Sequence, residues 1–139
     1  MTNREKIIIL WVVFFLGITT HMLLAVLPIF FGAEIAMPDA TGAVPASMVW
    51  MMLILYLLPI VIIALVPFLE EKWFRTSNFV ISILFTLMNI YHPIEHLQQS
   101  PVDSRQIVLL TFVLAFSILL NIVSFRWMKE EQRSHTGVI

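Results

Sequence analysis

The chain has 139 residues, of which 60% are hydrophobic and 12% charged, and its mean hydropathy is +0.94. With 8 basic and 9 acidic residues, it has too little charge to cover a soluble domain, in which roughly a quarter of residues are charged, and too much apolar character to stay disordered. A net charge of −1 leaves no basic footprint for nucleic acid, and the absence of cysteine removes disulfides, thiolate metal ligation and a thiol nucleophile.

Lipid is therefore the expected solvent, and four apolar stretches reach the ~20 residues that a bilayer-spanning helix needs. They cover about residues 7–31, 44–69, 74–97 and 106–127, all in a single integral membrane domain. The first follows Arg4 and Lys6 and runs on without an early small-x-small cleavage signal, so it reads as a retained helix rather than a signal peptide. Within it, Gly17, His21 and Ala25 fall at i, i+4 and i+8, a small-residue face suited to close contact with another helix. After breakers at Gly32, Pro38, Gly42 and Pro45, the second stretch carries Met48, Trp50, Met51 and Met52 near its start and Pro59 and Pro67 further on.

The third stretch holds most of the polar residues. Asn78, Ser82, Phe85, Asn89, His92 and His96 are spaced 4, 3, 4, 3 and 4 apart, one seam of a helix in coiled-coil-like packing. At 1.5 Å per residue the seam runs for about 27 Å, close to the full hydrocarbon thickness. Two readings are open: interhelical hydrogen bonds that glue the bundle, or a polar path through it. Where the seam ends, His92, Glu95 and His96 stand at i, i+3 and i+4 and share one side of the helix. This spells H-x-x-E-H, the signature of inverzincin peptidases, but Pro93 lies inside it and no distal carboxylate ligand is at hand, so a peptidase is not expected. The fourth stretch contributes Thr111 toward one end and Ser117, Asn121 and Ser124 toward the other, where they are expected to meet Asn78 and Ser82.

Basic residues orient the spans. Arg4, Lys6, Lys72, Arg75, Arg126, Lys129 and Arg133 fall on one side and Arg105 alone on the other, which predicts that both termini are cytoplasmic. Trp73 and Trp127 are expected at the inner interface and Trp50 toward the outer one. The fold class that follows is an all-α membrane protein, an antiparallel up-and-down bundle of four transmembrane helices in the plasma (inner) membrane.

In that bundle His21 and His92 come to similar depth on different helices, which predicts that their rings meet in an interior pocket in the outer third. His21, Trp50, Asn89, Tyr91 and Thr111 are candidate ligand contacts. His21, His92, Glu95 and His96 are candidate metal ligands. Three uses of the pocket are open: copper(I), if the methionines join the imidazoles; haem, with two histidines as axial ligands; and proton relay or binding of a polar head such as a quinone's.

In layout the chain resembles small bacterial four-span proteins of the DoxX-like type. The resemblance rests on Lys6, Leu10-Trp11 and Phe14-Phe15 at the start, Leu57-Leu58-Pro59-Ile60 in the second span, and Lys72, Arg75 and Asn78 leading into the third. It implies the four-helix membrane bundle and no particular activity. The functional expectation is a non-enzymatic ligand-, metal- or haem-binding or accessory protein in the bilayer, acting as a homo-oligomer or with a membrane-complex partner. The alternative is a small oligomeric transporter or channel using the seam of the third helix.

Overall fold

A computed structural model of the chain describes residues 1–34, 42–97 and 103–130, with only the backbone for residues 95 and 96. Its regular elements are α1 (Asn3–Val26), a 3-10 segment (Leu27–Phe31), α2 (Ala46–Leu65), α3 (Lys72–Leu97) and α4 (Ser104–Lys129). Four of these helices are long and apolar enough to cross a membrane.

The boundaries differ from the sequence expectation for local reasons. Helix α1 begins four residues before position 7 because Thr2 and Glu5 form a capping box: Thr2 Oγ1 accepts from the Glu5 amide at 3.3 Å, and Glu5 accepts from the Thr2 amide at 2.9 Å. At its far end Pro28 has no N–H to donate to the preceding turn, and the chain tightens into the 3-10 segment. Gly32, at φ 83°, ends that segment in the left-handed region. Helix α2 stops at Leu65 instead of 69. Val66 still donates to Ile62 at 2.9 Å, but Pro67 has no proton for the next bond, and a turn follows. Helix α4 starts two residues earlier than expected because Asp103 caps it, accepting from the Arg105 amide at 3.0 Å.

Helix α1 packs between α2 and α4, and α3 packs on α4. Buried positions repeat every three or four residues on three helices: 7, 11, 14, 18 and 21 on α1; 75, 78, 82, 85, 89 and, partly buried, 92 on α3; and 106, 110, 113, 117, 120, 124 and 127 on α4. These are the contact stripes of left-handed knobs-into-holes packing. Trp11, Phe14 and Phe85 fill the centre with three mutually perpendicular rings, centroids 5.4–5.6 Å apart. Helix α2 leans on the side of α1 through Pro59, Ile62 and a Phe15–Tyr56 ring contact, and is otherwise mostly exposed.

One end of the fold gathers residues from all four helix termini nearest it. Arg4 Nε donates to the Val66 carbonyl at 3.1 Å, and its other nitrogens reach the Pro67 carbonyl and Glu70. Asn3 bonds Glu130, and Arg75 Nη1 donates to the carbonyls of Trp127 and Glu130 at 3.0 and 2.6 Å.

The distribution of polarity is inverted relative to a water-soluble bundle. Large apolar side chains such as Phe31, Phe30 and Val108 are 70–83% exposed, while Asn78, Ser82, Thr86, Asn89, Gln106, Ser117 and Ser124 are buried. A surface of this kind belongs in lipid, which cannot bond polar groups, so those groups are paired inside. Trp127 is buried at the end of the α4 stripe, with its ring against Phe74.

Candidate functional site

Polar groups occupy three levels of the interior. Nearest the Arg4 end, the Trp11 indole N–H donates to Asn78 Oδ1 at 2.8 Å, and Asn78 Nδ2 donates to Ser124 Oγ at 2.9 Å, which joins α1, α3 and α4. At mid-height Asn121 Nδ2 donates to Thr86 Oγ1 at 2.9 Å, and Thr86 in turn donates to the Ser82 carbonyl at 2.9 Å. The α4 residues thus meet α3 as the sequence suggested, with Thr86 in place of the Ser82 hydroxyl, which turns back to the Phe79 carbonyl.

The third level lies at the opposite end. Gln106 Oε1 is 2.6 Å from His21 Nδ1, and His21 Nε2 is 3.1 Å from His92 Nε2. The two imidazoles meet nearly edge to face, with ring centroids 5.0 Å apart and planes at 78°. His21 and Gln106 are the buried positions that end the α1 and α4 stripes here, and the partly buried His92 ends that of α3, so the 3–4 period delivers all three to one level. The amide oxygen only accepts, which assigns the proton on Nδ1 to His21. If His21 is neutral, its Nε2 lone pair faces His92; if it is charged, Nε2–H donates to His92. The pair has two proton arrangements on one geometry.

A cavity of about 170 Å³ opens just beyond this level, lined by Leu24, Leu27, Pro28, Phe31, Asp103 and Arg105. Leu24 is three residues past His21, and Arg105 immediately precedes Gln106. At its rim Arg105 Nε donates to Asp103 Oδ1 at 3.0 Å, a bond that holds the Asp103 carboxyl below its ordinary range.

Of the residues expected here, His21 and His92 come together. Asn89 is buried one turn below His92, and its amide donates back to the Phe85 carbonyl at 2.7 Å. Trp50 and Tyr91 point away from the layer, 66% and 68% exposed. Thr111 is also on the outside and donates to the Ile107 carbonyl of its own helix at 2.8 Å. The side chains of Glu95 and His96 lie outside the described residues. Among the described residues no three His, Asp or Glu side chains form a metal-binding group. Of the three thioethers expected at this level, Met48 and Met51 are exposed on α2 and Met52 is partly buried. Ala25 is likewise exposed, so the small-residue contact face of α1 ends at His21.

The interior polar contacts of Gln106, Trp11, Thr86 and Arg75 were not expected from the sequence. Two of them carry a signal: continuing the α4 spacing of Ser117 and Ser124 backward reaches Gln106, and continuing the α3 seam backward from Asn78 reaches Arg75. Trp11 and Thr86 look like ordinary residues of an apolar span. Compared with known proteins, the chain matches no protein-family model, no curated protein and no solved structure.

Proposed function

We propose that the protein is a non-enzymatic integral membrane protein of the plasma (inner) membrane that binds a small ligand in its outer third or presents that site to a membrane complex. The observation that carries this is the Gln106–His21–His92 chain of polar contacts, with Gln106 and His21 buried and His92 partly so, set in a bundle whose outer surface is apolar. Two imidazoles inside a hydrocarbon-facing structure are costly unless they serve a ligand or a proton.

In this reading the helices alternate in direction and both termini are cytoplasmic. Support comes from the bonds that tie the start of α1 to the end of α2 and the start of α3 to the end of α4, and from six described basic residues at that end, Arg4, Lys6, Lys72, Arg75, Arg126 and Lys129, against Arg105 at the other. Kinship with the DoxX-like group belongs to the same proposal and rests on layout.

Binding is favoured over conduction because polar side chains between the ends are bonded across helices, Trp11 with Asn78, Asn78 with Ser124 and Asn121 with Thr86, while Ser82, Asn89 and Ser117 are turned to carbonyls of their own helices. Two experiments test the proposal. Reporter fusions should place both termini inside, and a C-terminus outside would overturn the topology. Native mass spectrometry of gently extracted protein should reveal a bound non-lipid species that a His21→Ala, His92→Ala double variant loses; identical spectra for a folded double variant would overturn the site.

A further inference from the structure

Resting on that reading, we infer that the ligand of the outer layer is a divalent transition-metal ion of the zinc(II) class, held by His21 Nε2 and His92 Nε2. Two nitrogen ligands at 2.0–2.1 Å on a tetrahedral ion stand roughly 3.3 Å apart. The two Nε2 atoms are 3.1 Å apart, and they face each other from different helices. Little movement is needed to admit an ion.

Gln106 supplies a second reason. A ligating histidine almost always donates its other ring N–H to an oxygen, which fixes the tautomer and aims the ligating nitrogen. Gln106 Oε1 stands 2.6 Å from His21 Nδ1, and the stripe of α4 holds it there, 4% exposed. His21 Nε2 is thereby presented as a lone pair toward the position between the rings. The cavity lined by Leu24, Asp103 and Arg105 lies at the same end of the bundle.

The same geometry chooses among metals. Axial haem ligands lie on opposite faces of the macrocycle, about 4 Å apart at twice an ordinary metal–nitrogen distance. Nitrogens in hydrogen-bond contact leave no room for that plane, so the pair does not fit haem. Copper(I) favours soft sulfur ligands; the chain has no cysteine, and Met48 and Met51 face outward. An imidazole-only pair suits a borderline ion such as zinc(II). With these two imidazoles as its ligands among the described residues, the ion has further positions for water.

The test is a titration of the full-length protein in detergent with cobalt(II), a coloured stand-in for zinc(II). Wild type should develop the visible bands of tetrahedral cobalt, and zinc(II) should bleach them. His92→Ala should abolish the bands, and Gln106→Leu should weaken binding by about tenfold or more while Gln106→Glu, which keeps an acceptor, retains it. Because a histidine variant can fail to fold, zinc(II) should also raise the wild-type melting temperature and leave that of Gln106→Leu nearly unmoved. Folded wild type without cobalt bands or a zinc shift overturns the metal. If native mass spectrometry then finds an organic species that depends on His21, the binding site stands with a different ligand; if it finds none, both proposals fall.

Discussion

Val113 Cγ2 lies 2.5 Å from the point that a Cβ on Gly17 would occupy. The Val113 side chain is β-branched and stiff, and both residues are buried, so α1 and α4 touch here without slack. Gly17→Ala is expected to cost about 1–3 kcal/mol through overpacking. Thermal denaturation in detergent should show this loss, and Val113→Ala in the same chain should recover much of it, since the two changes share one contact.

Asn78 makes both of its described bonds across helices. Replacement by leucine leaves the Trp11 N–H buried without an acceptor, which costs about 1–3 kcal/mol. Adding Trp11→Phe removes the stranded donor. The double variant should therefore melt above Asn78→Leu alone, and a lower melting temperature would show that the ring shape matters more than its proton.

Arg75 is 4% exposed, and its Nη1 serves the carbonyls that close α4. A cation at a helix C-terminus is favourable, but Nε is buried with no partner among the described residues, so part of that gain is offset. Arg75→Met should cost about 2 kcal/mol. Hydrogen exchange should rise first in the last turn of α4, with α1 amides little changed; uniform loss of protection would mean that the whole bundle depends on this residue.

Asp103 caps α4, and its carboxyl is held below the ordinary value of 3.8, chiefly by the side-chain bond from Arg105. A carboxylate whose folded pKa is depressed contributes above the ordinary value, and that contribution is lost as pH falls through the lower, folded one. Amide protection at residues 105–107 should be constant down to about pH 5 and decline only below the ordinary carboxylate range. Asp103→Ala should lower protection at neutral pH and remove this pH dependence.

The number of spans and the polar face of α3 were readable because hydrophobic period and length dictate them: 78, 82, 85 and 89 are all buried as the spacing required. The meeting of His21 and His92 was readable as well, from equal depth on two helices. What spacing could not supply was the order of helices around the bundle. Trp50 and Thr111 were expected at the level of the histidines, but α2 packs on α1 with Trp50 exposed, and Thr111 is on the outer surface of α4. Height follows from counting residues, whereas facing depends on which neighbours a helix chooses. Gln106 shows the other limit: a polar residue near a span's start resembles a boundary until the packing stripe runs through it.

Pairing α1 with α4 joins the two helices furthest apart in synthesis order. While the chain is being made, His21 and Trp11 enter the bilayer long before Gln106 and Asn78 exist to bond them. The Trp11 N–H gains its acceptor when α3 brings Asn78, whereas His21 meets Gln106 only when α4 arrives, so a truncation before residue 104 would keep the first bond and lose the second.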